Sequence, residues 1–226
     1  MMAERSAQSI ARVRTWDVPT RVVHWLMAVL IATSWWTAEN GHLEFHRYSG
    51  YSILALLLFR LYWGFAGSTS ARFAQFIKGP RAILNYLRGE PVQSAGHNPL
   101  GALSVLALIL LLLSQVTLGL FAVDVDGIES GPLSHYVSFA AGRVCAEWHE
   151  TVFDVLVWVI VLHIAAVLFY VLVKKHNLVA AMLHGHREYS QQPSSTLRFA
   201  SATRVIVGVI LAAAVTWWIA SGLELL

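Results

Sequence analysis

The sequence predicts an all-α integral membrane protein, with a bundle of four membrane-spanning helices followed by a fifth, C-terminal one. Two observations predict this fold class. The 226 residues are 57% hydrophobic and only 13% charged, whereas an ordinary soluble domain carries about 25% charged residues and cannot bury so much apolar surface. In addition, five apolar stretches are each long enough to cross a hydrocarbon core of about 30 Å as a helix.

The five spans are predicted to be helices because backbone exposed to lipid must satisfy its own hydrogen bonds. The apolar stretches also lack the alternation that is typical of a β-barrel strand. The chain therefore divides into an N-terminal segment 1–21, the bundle 22–173, a loop 174–202 and the extra helix 203–226. The spans are approximately Val22–Ala38, His46–Phe65, Leu100–Val123, Trp148–Val173 and Thr203–Gly222.

Positive charge lies mostly on one side of the predicted spans, and by the positive-inside rule that side is the cytoplasm. We therefore expect a cytoplasmic N-terminus and a C-terminus on the outer side. The net charge of +3 comes from basic residues that flank the membrane spans and not from a basic patch on a soluble surface, so we expect no nucleic-acid partner. The basic residues on the cytoplasmic side are Arg5, Arg12, Arg14, Arg21, Arg60, Arg72, Lys78, Arg81, Arg88, Lys174, Lys175, Arg187, Arg198 and Arg204, and those on the outer side are Arg47 and Arg143.

The cytoplasmic connection between the second and third spans is long and has a mixed pattern. Apolar and aromatic residues alternate there with basic ones over about 70–90. This pattern is typical of a short amphipathic helix that lies on a membrane surface. We expect such a helix on the cytoplasmic face, in contact with membrane lipid.

Four of the ten histidines lie inside or at the margin of a predicted span: His24, His46, His149 and His163. An ionisable side chain inside a membrane is costly and therefore marks a candidate functional site. His149 and His163 are fourteen residues apart, which places them within about 40° of the same helix face and about 21 Å apart along the axis. His46 is predicted at the depth of His149, and His24 at the depth of His163.

Two facing imidazoles at one depth suit a haem iron, which takes two axial nitrogen ligands. Zinc would usually need four ligands, and no Cys or carboxylate joins either pair. The single Cys145 also excludes the Cys-x-x-Cys-His motif of covalently attached haem. From the residues alone, interhelical hydrogen bonds and a proton relay remain alternatives.

Two glycines are candidates for clearing space beside such a flat macrocycle. Gly50 follows His46 by four residues, and Gly119 lies on the third span. The alternative is ordinary small-residue packing between membrane helices.

Seven segments, in order and suitably spaced between Thr15 and Glu188, resemble one known family. They are TWDVPTRVVHW (15–25), EFHRYSGY (44–51), LLLFRLYWGFAGS (56–68), GHNPLG (96–101), VTLGLFA (116–122), WHE (148–150) and LHIAAVLFY (162–170). Together they resemble the bacterial di-haem cytochrome b family that includes cytochrome b561 and the cytochrome b subunits of nickel–iron hydrogenases. The resemblance implies a four-helix bundle in the bacterial inner membrane with two non-covalent haem b groups, whose ligands would be His24, His46, His149 and His163.

The fifth, C-terminal span departs from the four-helix core of that family. It has two interpretations, a docking surface for a partner subunit or an additional membrane anchor.

The resemblance also implies electron transfer between a periplasmic redox partner and membrane quinone. The partner would be a c-type cytochrome or a subunit of a dehydrogenase or hydrogenase, and the acidic outer loop from Asp124 to Glu147 would face it. Near the cytoplasmic side, Arg21 and Arg60 would pair with haem propionates or polarise a quinone carbonyl. Snorkelling of both arginines to the membrane interface is the alternative.

Two other functions remain open. A stand-alone superoxide:quinone oxidoreductase would need a positively charged outer pocket, to which only Arg47 and Arg143 could contribute. A membrane subunit without haem would act as an anchor or a proton relay. We expect an electron-transfer subunit and not a stand-alone enzyme.

Overall fold

The computed structural model describes residues 11–90, 96–126, 129–189 and 196–224. Predicted features on the remaining residues, such as Arg5 and parts of the loops around 91–95 and 190–195, lie outside the described residues. Within the described residues two short strands pair, and the other regular elements are helices apart from an isolated bridge between Val123 and Ser130. The elements are β1 Ala11–Arg14, α1 Val18–Glu39, α2 Leu43–Ala66, α3 Phe73–Phe76, α4 Pro80–Leu87, α5 Pro99–Phe121, α6 Phe139–Leu172, α7 Leu178–His184, β2 His186–Tyr189 and α8 Ala202–Ala220.

In the part of the chain that the structure describes, four helices are long and apolar enough to cross a membrane, namely α2, α5, α6 and α8. The chain is therefore a multi-pass membrane protein. The outward surface of α6 agrees with this, since Trp158 and Leu162 are 74% and 68% exposed although both are large and apolar. Helix α1 has 22 residues and packs along α2.

Successive long helices alternate in direction, and α2 is central among them. It packs against α1, α5 and α8, and α5 in turn packs against α6. One end of the bundle, called here the basic end, contains the start of α1, α5 and α8 and the end of α2 and α6. The opposite end, called here the acidic end, contains the short loop after α1, the longer connection after α5 and the start of α6.

A buried carboxylate organises the basic end. Asp17 is 4% exposed and caps α1 by accepting a hydrogen bond from the backbone N–H of Thr20, as an N-cap residue does. Its other oxygen accepts a bond of 2.9 Å from the indole N–H of Trp63, which is 1% exposed near the end of α2. Asp17 therefore joins the start of the first long helix to the end of the second.

The structure differs from the predicted boundaries at two places. Helix α6 begins at Phe139 and not near Trp148, because Ser138 caps it through the N–H of Ala141, so part of the predicted acidic loop is helical. The predicted loop 174–202 contains α7 and β2, and β2 pairs antiparallel with β1 of the N-terminal segment. These two strands have only four residues each and are far apart in the sequence. Neither therefore gives a local hydrophobic pattern from which a strand could be predicted. The range 70–90, where a short helix on the membrane surface is predicted, contains α4; its position on the cytoplasmic membrane surface stays a prediction.

Candidate functional site

His46 and His149 face one another from α2 and α6. Their ring centroids lie 6.0 Å apart and their planes are nearly perpendicular, at 85°. Nδ1 of His46 lies 2.9 Å from the carbonyl oxygen of Ser34, and Nδ1 of His149 lies 2.8 Å from that of Gln115. Because a carbonyl only accepts, both Nδ1 atoms carry the proton, and each Nε2 keeps a lone pair for a ligand.

His24 and His163 form the second pair, between α1 and α6. Their ring centroids lie 6.5 Å apart with an interplanar angle of 52°. Nδ1 of His163 lies 3.3 Å from the hydroxyl oxygen of Ser104 on α5. The edge of the Trp25 indole packs against His24 at a centroid distance of 5.1 Å. The structure therefore brings together the two histidines of each predicted pair.

The spacing of both pairs fits one metal ion held between two imidazoles. A metal–nitrogen bond is about 2 Å long and each centroid lies about 1 Å behind its nitrogen, so two axial imidazoles hold their centroids about 6 Å apart. Among the described residues, no group of three or more His, Cys, Asp or Glu side chains could hold a metal ion. The donor set is thus two imidazoles per site, which suits haem iron and not zinc.

The two predicted glycines have different surroundings. A Cβ at Gly50 would meet nothing within 4 Å, so open space lies beside this residue one helical turn from His46. A Cβ at Gly119 would lie 2.9 Å from Cε1 of His149. Gly119 therefore makes room for the imidazole itself, and Gly50 lies where a macrocycle could approach α2. Their assignment as haem-contacting residues stays a prediction.

An apolar layer separates the two histidine pairs. Leu156 lies midway between His149 and His163 on α6, and its side chain is 1% exposed. It packs with Ile53, Leu57 and Leu112 and with surrounding residues of α1 and α5. Residues seven apart lie on the same helix face, so Leu156 lies on the face of α6 that carries both histidines. Its side chain therefore fills the space between the two sites and keeps water out of it.

A polar cluster lies at the basic end, formed by Tyr86, Asn98 and Tyr170. The two phenol oxygens are hydrogen-bonded to each other, and the amide of Asn98 donates to Tyr170 at 2.8 Å and to Tyr86 at 3.1 Å. Tyr170 follows His163 by seven residues, so it lies on the same face of α6 about 10 Å nearer the basic end. Burial and the bond to Tyr170 raise the pKa of Tyr86 to about 12.

His97 lies beside this cluster, just before α5. Its ring contacts Trp16 and Phe76 at centroid distances of 4.7 and 4.6 Å. Burial, together with the neighbouring charges of Arg60 and Arg187, lowers the pKa of His97 to about 3. This imidazole is therefore neutral at physiological pH.

The two predicted arginines have protein partners at the basic end. Arg21 donates to the carbonyl oxygen of Leu183 in α7. Arg60 donates to the carbonyl oxygen of Ala71 at 3.3 Å, and its guanidinium lies over the ring of Phe73 at 5.0 Å. Contacts with haem propionates or quinone stay predictions for both residues.

Sequence reasoning missed the partners that orient the imidazoles. Ser34 and Gln115 act through backbone carbonyls, for which a sequence carries no signal. Ser104 and Tyr170 had a detectable signal, since each is a polar residue within an apolar helix: Ser104 on α5 contacts His163, and Tyr170 lies on the same face of α6 as His163. The spacing of seven residues between His163 and Tyr170 is the clearest example.

Comparison with known proteins agrees with this geometry. The family model of prokaryotic cytochrome b561 matches residues 15–185, which contain both histidine pairs and the polar cluster. The chain belongs to the prokaryotic cytochrome b561 family. A probable Ni/Fe-hydrogenase B-type cytochrome subunit from Rhodobacter capsulatus is 22% identical over 215 residues, which cover 78% of this chain and 82% of the relative. No solved structure gives a significant match.

This family membership confirms the family predicted from the sequence, and it establishes the general function of the protein. The protein is a membrane b-type cytochrome that takes part in electron transfer, and haem b is its implied cofactor. The match ends at residue 185, so α8 lies beyond the region that the family model covers.

Proposed function

We propose that this protein is a di-haem cytochrome b that transfers electrons between a periplasmic redox partner and the quinone pool. The observation that carries the proposal is the presence of two histidine pairs, at centroid distances of 6.0 and 6.5 Å, on helices that hold them about 21 Å apart along α6. In this proposal all five long helices cross the inner membrane. The basic end is cytoplasmic and the C-terminus is periplasmic.

The chain's own residues would hold and insulate the redox groups. Haem b, when bound, supplies reversible one-electron chemistry at its iron. The four imidazoles would hold the haems, two imidazoles to each haem, and ligation by two imidazoles favours electron transfer over oxygen binding. Hydrogen bonds at Nδ1 of His46, His149 and His163 fix the ring orientation and raise ligand basicity.

The acidic end supports an encounter with a soluble or peripheral partner. Asp126, Glu147 and Glu150 are exposed there, so a partner with a basic surface, such as a c-type cytochrome, would be steered to it. A hydrogenase or dehydrogenase subunit is the other candidate, because the relative from Rhodobacter capsulatus bears the name of a hydrogenase cytochrome subunit.

The polar cluster at the basic end supports quinone exchange near the His24–His163 pair. Reduction of a quinone consumes two protons, and the reacting oxygens need hydrogen-bond donors. Tyr86, Asn98 and Tyr170 place two phenols and an amide together about 10 Å from His163 along α6. The neutral imidazole of His97 and the cation of Arg60 lie nearby. These groups could orient a quinone carbonyl and hand protons to it.

The surroundings of the two outer arginines favour electron transfer to a partner over direct reaction with superoxide. Arg47 is paired with Glu129 at 2.5 Å, and Arg143 donates to the carbonyl oxygen of Val123 at 2.9 Å. Both positive charges are thus engaged at the acidic end, where a superoxide pocket would need them.

Reduction by a soluble quinol analogue tests the proposal. We expect the full-length protein in nanodiscs to show a reduced b-type α-band after stopped-flow mixing with the quinol. Tyr170→Phe should slow that reduction at least about tenfold, because the hydroxyl that would hydrogen-bond the quinol and relay its proton is lost. Tyr48→Phe, at an exposed position near the acidic end, should not. Absence of any quinol-dependent band would contradict the proposed function, and equal rates in both variants would contradict the role of Tyr170.

A further inference from the structure

A cavity of about 330 Å³ lies at the basic end, where α2 ends and α8 begins. Its volume falls within the range of about 300–1,000 Å³ that is usual for small-molecule sites. Three arginines line it: Arg72 from the connection after α2, Arg198 from the segment that leads into α8, and Arg204 from the first turn of α8. The cavity therefore joins the family bundle to the helix that lies beyond the family match.

The walls of this cavity are held by hydrogen bonds between the two segments. The backbone N–H of Thr69 donates to the carbonyl oxygen of Arg198, and the N–H of Arg198 donates back to the Thr69 hydroxyl at 3.0 Å. The N–H of Ala200 donates to the Ser68 hydroxyl, also at 3.0 Å. Ser68 is 2% exposed, so the bond to its hydroxyl is shielded, whereas the bonds between Thr69 and Arg198 lie at the surface. Together these bonds tie the connection after α2 to the segment that leads into α8.

The positive charge of the cavity is not neutralised within the described part of the chain. Arg72 donates to the Thr69 hydroxyl, and Arg204 donates to the carbonyl oxygen of Ala66, the last residue of α2. Both acceptors are neutral, and the one ion pair found among the described residues, Arg47–Glu129, is at the acidic end. Nε of Arg72 is buried without a hydrogen-bond partner in the same part of the chain.

The cavity also lies at the depth of lipid headgroups. Helices α2 and α8 both have the length and composition of membrane spans, so the plane in which one ends and the other begins is a membrane interface. Phe199 lines the cavity and is 42% exposed, and the guanidinium of Arg14 lies 4.7 Å from its ring centroid. An apolar ring beside several guanidiniums suits an amphipathic ligand with an anionic head.

We propose that this cavity binds the phosphate headgroup of an anionic phospholipid, and that the bound lipid fastens α8 to the bundle. Guanidinium groups bind phosphate oxygens in bidentate fashion, and basic pockets between membrane helices recognise anionic headgroups. Arg72, Arg198 and Arg204 would supply the donors, and the acyl chains would lie along the exposed sides of α2 and α8.

Native mass spectrometry of the full-length, delipidated protein tests the site by titration with phosphatidylglycerol and, separately, phosphatidylcholine. We expect one phosphatidylglycerol to bind at least about tenfold more tightly than phosphatidylcholine. The variant Arg72→Gln/Arg198→Gln/Arg204→Gln should lose this preference. The control Lys78→Gln/Arg81→Gln/Arg88→Gln removes the same charge from exposed positions at the same end and should keep it.

Equal phosphatidylglycerol binding by the wild type and the cavity variant would overturn the proposal, and so would an equal loss in the control. Displacement of the lipid by millimolar inorganic phosphate would show a free-phosphate site and also contradict it. If the triple variant does not fold, Arg198→Gln alone provides the test, because the hydrogen bonds that tie Arg198 to Thr69 use its backbone and are kept in this variant. Its lipid affinity should fall severalfold, and an unchanged affinity would overturn the proposal.

Discussion

The two histidine pairs are built from neighbouring helices at similar ring spacing, yet their surroundings differ. Both imidazoles of the His46–His149 pair have Nδ1 bonded to backbone carbonyls, at 2.9 and 2.8 Å. In the His24–His163 pair, Nδ1 of His163 has the weaker contact of 3.3 Å with a serine hydroxyl. The second pair also lies towards the basic end, near Arg60 and His97. One bundle thus provides two distinct electrostatic environments.

This difference predicts an order of midpoint potentials. Donation from Nδ1 to a carbonyl makes the imidazole a stronger donor to iron and stabilises the ferric state. Nearby positive charge stabilises the ferrous state, which carries one positive charge less. We therefore expect the haem at His46–His149 to have the lower potential, so that electrons run downhill from the acidic end to the basic end.

The largest expected effect is the loss of one haem while the other is kept. His149→Ala should remove the haem of its own pair and leave the haem of the His24–His163 pair, which lies about 21 Å away along α6. A redox titration of the variant should then show one component, the one of higher potential. His42→Ala is the matched control, since His42 is an exposed imidazole at the start of α2, and it should keep both haems. Retention of both haems in His149→Ala would break the assignment of ligands.

A steric variant tests the same site without removing a ligand. Gly119→Ala places a methyl group 2.9 Å from Cε1 of His149, and such overpacking costs about 1–3 kcal/mol. We expect partial loss or a shifted spectrum of the lower-potential haem, measured by low-temperature α-band spectroscopy. Gly79→Ala, where a Cβ meets nothing within 4 Å, should leave the spectrum as it is. A change confined to the higher-potential haem would contradict the placement of Gly119.

Features that depend on residues close together in the sequence could be predicted, whereas contacts between distant segments could not. The four histidines were found because a polar residue in an apolar helix is conspicuous, and depth along two helices can be counted. The pairing of β1 with β2 was missed because residues 11–14 meet residues 186–189 through backbone bonds alone. The early start of α6 was missed because charged residues follow Ser138, and a membrane span is predicted only where the sequence is apolar. The N-cap at Ser138 therefore did not determine the predicted boundary.

The fine structure of the site could not be predicted for a related reason. The carbonyl of Ser34 accepts the proton of His46 only because α1 and α2 pack at one particular rotation. The contact of Gly119 with the imidazole of His149 could not be predicted either. Such contacts depend on helix packing, which a hydropathy pattern does not specify.

The apolar layer between the two pairs should support both of them equally. Leu156→Ala removes a side chain that is 1% exposed, and the resulting cavity should lower the free energy of unfolding by about 2–5 kcal/mol. Thermal unfolding followed by circular dichroism would measure this loss, while the haem content at low temperature should stay unchanged. Leu162→Ala, at a 68% exposed position on the same helix, provides the comparison. A smaller loss for Leu156 than for Leu162 would contradict the buried layer.

The smallest expected effect concerns the partner of His163. Ser104→Ala removes the acceptor at Nδ1, so the imidazole becomes a weaker donor to iron. A hydrogen bond worth about 0.5–1.5 kcal/mol corresponds to roughly 20–60 mV for one electron. The potential of the higher component should therefore rise by about that amount in a redox titration. A shift of the lower component would place Ser104 at the wrong site.

The central claim is that one chain holds two haem b groups between four histidines. The pyridine haemochrome assay on the purified, full-length protein, combined with a quantitative amino-acid analysis, tests it most directly. We expect two haem b groups per chain. A ratio of one, or the absence of b-type haem, would contradict it.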